Sequence, residues 1–225
     1  FTMLFVTFTF IIPRFSTVYE SLGSDLPLYT VMLVNFGEWF QNNIFSVVGF
    51  TFLFFSSIWI LTLSDTGALI KDKILLKVPI FGTLIKQNIM AKFSKTFGIL
   101  TGAGVSILES MQLIGKVVDN RLYELALKDA SKNIENGESI SNSLKATGEF
   151  PPILIQLLTT GEETGEIDNL SLKASTFYVK QVNAIVDRLT SILEPALIVL
   201  VGGVIGLIII VTYLPIFYFG DALLQ

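Results

Sequence analysis

The side chains best suited to chemistry sit in Gly161-Glu162-Glu163-Thr164-Gly165-Glu166-Ile167-Asp168, where four carboxylates fall within seven positions. Such a cluster offers hard oxygen ligands to calcium or magnesium. On residue type alone it also offers the general acid and nucleophile of a glycosidase. The spacing, however, matches no EF-hand loop and no phosphate-binding glycine motif accompanies it, while a position between two apolar segments of membrane length leaves little room for a sugar cleft. The plainer reading is a solvated turn whose acids favour the positive N-terminus of the helix that follows. The rest of the chain supports it: among 225 residues there is neither His nor Cys, which removes disulfides, thiolate zinc sites and both common nucleophile-base pairs. No catalytic residue, metal or cofactor is expected.

A second carboxylate of interest is Glu194, followed by Pro195, at the head of an apolar run from Ile192 to Leu214. A charge near a bilayer centre costs about 2.5–3.5 kcal/mol, yet hydrocarbon beginning at Ala196 still leaves 19 residues to Leu214. Glu194 therefore reads either as a headgroup-level residue or as the mate of an amine or basic side chain inside a helix bundle. Pro195 favours special geometry, because it frees the carbonyl one turn earlier and kinks a helix. Further along the same run, Gly202 and Gly206 form a GxxxG pair that lets another helix approach closely, from the same chain or from a second copy.

The elements that carry these residues follow from composition. Hydrophobic residues make up 52% and charged residues 15%, with a mean hydropathy of +0.68, which is the profile of a membrane protein. Ile44 to Leu63 is 20 residues without a charge, rich in Phe, with Trp59 near one end, long enough to cross a bilayer. Phe1 to Ile12 reads as the end of an earlier span, about 8 residues of which lie upstream. The expected division is thus 1–12 as the end of a first span, 13–43 as a periplasmic loop, 44–63 as a span, 64–191 as a helical domain, 192–214 as a span and 215–225 as a periplasmic tail. Every Lys and Arg except Arg14 lies in 64–191, balanced there by equal acids. The positive-inside rule puts that segment in the cytoplasm. No basic stripe with interleaved aromatics points to nucleic acid.

Within 64–191 the pattern is helical, punctuated by glycine and proline. Ile89, Phe93, Phe97 and Leu100 mark one helix ending near Gly102 and Gly104. Ser106-Ile-Leu-Glu109 is a capping box that starts the next. Leu122, Leu125, Ala126 and Ala130 mark a third, stopped by Gly137; Ser139 to Thr147 forms a short fourth, stopped by Gly148. Pro151 and Pro152 open a fifth, expected to end at Gly161. A sixth starts near Asp168 and continues through Phe177, Val182, Ile185 and Leu189 into the last span. The fold class is an all-α membrane protein with a cytoplasmic six-helix bundle between transmembrane helices.

Taken in order, these marks resemble the platform proteins of type II secretion and type IV pilus machines. The resemblance rests on Ile12-Pro13-Arg14-Phe15, Ser21-Leu22-Gly23, Leu26-Pro27-Leu28-Tyr29-Thr30 and Pro79-Ile80-Phe81-Gly82. It continues through Phe93 and Phe97 with Gly102-Ala103-Gly104-Val105, then Asn120-Arg121, Gly137-Glu138-Ser139, Phe150-Pro151 and Gly161 to Gly165, and closes on Phe177-Tyr178, Glu194-Pro195 and Leu214-Pro215. It implies a multi-pass bacterial inner-membrane protein with three spans, a further homologous cytoplasmic domain on the N-terminal side, and a role as an adaptor between a cytoplasmic secretion ATPase and pilin or pseudopilin subunits. Other inner-membrane assembly proteins, membrane lipid and further copies of the chain are the remaining expected partners. Partner contacts are expected at Glu162, Glu163, Gly165, Glu194 and Pro195, and helix packing at Gly202 and Gly206. Glu166-Ile167 stands where the family more often has Asn-Leu, which weakens a residue-specific role for this turn. The competing reading is a small polytopic transporter or channel component. It suffers from spans that offer only Ser and Thr beyond Glu194.

Overall fold

The computed structural model describes residues 32, 35, 39, 42–62 and 64–222. The span end expected at 1–12, most of the 13–43 loop and the resemblance marks before residue 31 lie outside them. The described residues hold eight helices and no strand: α1 (Ile44–Thr62), α2 (Asp65–Lys77), α3 (Phe81–Gly102), α4 (Ile107–Val117), α5 (Arg121–Glu135), α6 (Ile140–Ala146), α7 (Pro152–Thr164) and α8 (Ile167–Ala222). The all-α class stands as expected. The bundle has one helix more than the six read from sequence, because α2 was missed. Its Lys71-Asp72-Lys73 alternation and Gly67 hide the apolar period. The chain divides into two units, one of them Ile58–Ser191 and the other made of the segments on either side.

The Ile58–Ser191 unit is built around side chains at helical spacing. On α5, Tyr123, Ala126, Leu127 and Ala130 are buried, the i, i+3, i+4, i+7 stripe of an amphipathic helix. They meet Met111 and Ile114 of α4, Phe93 and Phe97 of α3, Leu144 of α6 and Leu154 and Leu158 of α7, all buried. Aromatic rings knit the centre. Phe93 stacks on Phe97 at 5.6 Å between centroids, Phe150 lies 5.2 Å from Phe93, and Tyr123 meets Phe150 edge-on at 5.7 Å. Burying each such ring is worth about 1.5–3 kcal/mol. The Tyr123 hydroxyl donates to the Glu149 carbonyl at 3.2 Å. Burial, then the charges of Glu149 and Tyr178, push its pKa up to about 12.

Close backbone approach fixes how α8 starts. A Cβ on Gly98 would lie 2.9 Å from both the Asp168 carbonyl oxygen and Leu172 Cγ. The α8 backbone therefore passes over α3 where there is no side chain. One turn on, Gly102 faces Asp168, and Ser175 Oγ donates to the Ala91 carbonyl at 3.2 Å. Gly102 was read only as a helix end, but it also belongs to this seam.

The corner from α2 to α3 is strained. Ile80 sits at φ 69, ψ −58, with the Phe81 amide donating to the Pro79 carbonyl at 2.8 Å. This is a γ-turn of positive φ, rare for any L-residue and rarer for a β-branched one. Such a conformation costs about 1–3 kcal/mol.

α1, which lies in the other unit as far as Ser57, carries no charge and exposes Phe45, Phe50, Phe52, Phe54 and Phe55. Its apolar helix over the described residues is Phe45–Ser57. The C-terminal part of α8 exposes Leu197, Ile198, Val199, Leu200 and Ile205. A window of α8 is long and apolar enough to cross a membrane, and none of it is buried inside the protein. Helices apolar on every side need hydrocarbon around them, and the chain is an all-α membrane protein.

Candidate functional site

The acidic cluster lies at the joint of α6, α7 and α8, and its form differs from expectation. It is not a turn: Glu162 and Glu163 belong to the last turn of α7, which continues past Gly161 to Thr164. Gly161 does not stop the helix. It is buried, and a Cβ there would lie 2.8 Å from the Cα and 3.3 Å from Cγ1 of Ile167, the first residue of α8. The glycine admits the next helix. The stop is Gly165, at φ 76, ψ 9, the left-handed conformation that closes helices at glycine.

The Glu162 carboxylate reaches the start of α6. It accepts hydrogen bonds from the Ile140 amide at 2.5 Å, the Ser141 amide at 3.0 Å and the Ser141 hydroxyl at 2.5 Å. Ser139, the N-cap, accepts from the Asn142 amide at 3.3 Å. Together they satisfy the first three amides of α6, which water cannot easily reach because Ile140 and Ser141 are buried. The negative charge also suits the positive end of that helix. A seven-residue helix has little stability of its own, so this clamp and the burial of Ile140 and Leu144 hold it. With both oxygens engaged, Glu162 is poorly placed to act as a base or metal ligand. Among the described residues no group of three or more acids gathers into a metal-binding arrangement.

A second clamp of the same kind was not legible. Asp72 of α2, buried, accepts from the Arg121 amide at 2.7 Å, while the N-cap Asn120 accepts from the Leu122 and Tyr123 amides at 3.1 and 3.3 Å. The first three amides of α5 are thus taken as those of α6 are. The Arg121 guanidinium meets Glu124 at 2.7 Å and Asp65 at 3.3 Å. Its hydrogen bond to Glu124, then the charges of Glu124 and Asp65, raise its pKa further above the ordinary guanidinium value. Asp72 stands among lysines in an ordinary charged stretch, and nothing local marks it.

The remaining site residues are not drawn into this joint. Glu163, Gly165 and Glu166 are exposed. Glu194 and Pro195 lie on α8, which continues through the proline as helix, and Glu194 is exposed. Gly202 and Gly206 are one turn apart on the same helix, and among the described residues a Cβ on either would meet nothing within 4 Å. Their face is open.

Comparison with known proteins gives these features a setting. Residues 93–215 match the family described as type II secretion system (T2SS), protein F. The chain is 34% identical over 211 residues to the type IV pilus assembly protein PilC of Myxococcus xanthus, covering 94% of this chain and 51% of that protein. It is 29% identical over 214 residues to the protein transport protein HofC homolog of Escherichia coli, with 95% and 54% covered. It is 28% identical over 222 residues to the type II secretion system protein F of Pseudomonas aeruginosa, with 92% and 51% covered. The chain spans about half the length of the curated relatives it matches.

Proposed function

This chain belongs to the type II secretion system protein F family, and on that premise we propose that it serves as a platform in the bacterial inner membrane for building a type IV pilus or type II secretion filament. In this reading α1 and the apolar part of α8 cross the bilayer, and the Ile58–Ser191 unit faces the cytoplasm and receives a secretion ATPase. Pilin or pseudopilin subunits approach the membrane part beside Glu194 and Pro195, and Gly202 with Gly206 packs against a neighbouring helix or a second copy. The role is mechanical, not enzymatic. The observation that carries the reading is α8 itself, one helix from Ile167 to Ala222. It begins against the core at Gly98 and Gly102 and ends in an apolar stretch of membrane length.

Within the acidic joint, the free carboxylate favours Glu163 over Glu162 as the ATPase contact, since Glu162 is spent on α6. The native absence of cysteine allows a direct test by in-cell crosslinking from single cysteines at Glu163 and Glu194 in the full-length protein. Crosslinks from 163 to the ATPase and from 194 to a pilin-like subunit are expected. Stable insertion with no crosslink to either, at these and neighbouring positions, would overturn the platform reading.

A further inference from the structure

α2 has two unlike sides. Asp72 and Leu76 are buried, Asp72 on the Arg121 amide and Leu76 in the apolar core. On the other side Ile70 and Ile74 are 52% and 58% exposed, and Val78 follows at the same four-residue interval, which sets the three in one row along the helix. Exposed apolar residues continue past the end of α2. Ile80 and Phe81, at the strained γ-turn, are 51% and 55% exposed. By helical spacing Lys71 flanks the row on one side and Lys73 and Lys77 on the other, and all three lysines are exposed.

Single exposed apolar residues are ordinary. A row of three edged by lysines, continued by exposed Ile80 and Phe81 at a turn whose backbone conformation glycine would adopt freely, is not. Ile80 lies outside the buried core of its own unit and is half exposed. An apolar row between basic margins is how a helix lies in the interface of an anionic membrane, its apolar side among the acyl chains and its lysines at the headgroups. The sequence position selects this occupant over a protein. α1, the uncharged helix, closes at Thr62, and α2 begins at Asp65 with two residues between them. We propose that α2 and the Pro79–Phe81 corner form an amphipathic foot that rests on the anionic cytoplasmic leaflet, with Ile70, Ile74, Val78, Ile80 and Phe81 below the headgroups and Lys71, Lys73 and Lys77 among them. This rests on the reading that α1 crosses the bilayer.

The test uses the full chain in phosphatidylglycerol-containing liposomes, with an environment-sensitive fluorophore on a single cysteine. The positions are Ile74→Cys for the foot, Phe54→Cys within α1 and Lys132→Cys on the exposed side of α5. Brominated lipid should quench the label at 54 and at 74 but not at 132, and aqueous iodide should quench only 132, because an interfacial helix buries its apolar side about 5–10 Å below the headgroups. Replacing Lys71, Lys73 and Lys77 together by Gln should cut lipid quenching at 74 by about half or more, as should exchanging the anionic lipid for a zwitterionic one, while leaving 54 unchanged. Lipid quenching at 54 with iodide quenching at 74 would overturn the proposal alone and give the row to a protein partner or a second copy. Absence of lipid quenching at 54 would remove the spanning reading, and the foot with it.

Discussion

Removing the Glu162 carboxylate should release α6 before it disturbs the rest of the helical unit. The carboxylate takes the amides of Ile140 and Ser141 and the hydroxyl of Ser141. Hydrogen bonds to a charged group are worth about 1.5–3 kcal/mol net, and a buried amide left without an acceptor costs about 1–3 kcal/mol. The three bonds share one anion and are not additive, and water entering the gap recovers part of the loss. Loss of an ordinary N-cap, which serves one amide, costs about 0.5–2 kcal/mol. Glu162→Ala, which strands two buried amides, should therefore cost about 2–4 kcal/mol. Glu162→Gln keeps one acceptor oxygen and the shape, and should cost about 1–2 kcal/mol. Hydrogen exchange of the full chain in micelles reads this locally. At tenfold per about 1.4 kcal/mol, protection of the α6 amides should fall about 30- to 700-fold in the alanine variant. Protection of α4 should move little, and Glu163→Ala should leave α6 as it was. An α6 in Glu162→Ala still protected to within about threefold of the wild type would refute the clamp. Glu162 would then be free for a partner, as its sequence context alone suggests.

Two further outcomes follow from packing and burial. Gly161→Ala places a methyl 2.8 Å from the Ile167 Cα and should destabilise the unit by about 1–3 kcal/mol in denaturant titration; a variant as stable as the wild type would refute the close approach. Tyr123 keeps its proton in the folded chain up to about pH 12 against an ordinary value of 10.0. Between these values the unfolded chain sheds a proton that the folded chain retains, so stability is whole below pH 10 and falls as pH rises towards 12. Tyr123→Phe should flatten that decline in alkaline melts, and an unchanged slope would mean that the hydroxyl ionises freely.

What the sequence disclosed and what it hid divide along the range of the interactions. Ser106 and Ser139 were legible as helix starts because an N-cap acts on amides two or three residues away. Pro151 and Pro152 opened α7 for an equally local reason. Phe93, Phe97, Ala126 and Ala130 showed their core side through period alone. Gly161 misled because glycine has two uses: it ends helices, and it also admits a neighbouring backbone, a role set by Ile167 arriving from the next helix. Gly98 was passed over for the same reason, since only the course of α8 gives it meaning. Asp72 and Glu162 act across 49 and about 21 residues of chain, and no window of sequence contains both ends of such a contact. The metal reading of the acidic cluster assumed that adjacent acids face one centre. On a helix, adjacent residues diverge, and Glu162 and Glu163 do so.

That divergence carries a consequence for function. Acids in the last turn of a helix oppose its dipole at a cost of about 0.3–1 kcal/mol. For Glu162 the clamp on the N-terminus of α6 more than offsets the unfavourable position. Glu163 stands in the same last turn of α7 with the same penalty, is exposed, and makes no hydrogen bond or ion pair among the described residues. Its helix gains nothing from it, and neither does any other helix described. Under the proposed platform role, Glu163 is the carboxylate of this joint left exposed to meet a basic group on a partner. Solvent screening makes an exposed pair weak on its own, so such a contact would set orientation and partner choice more than affinity.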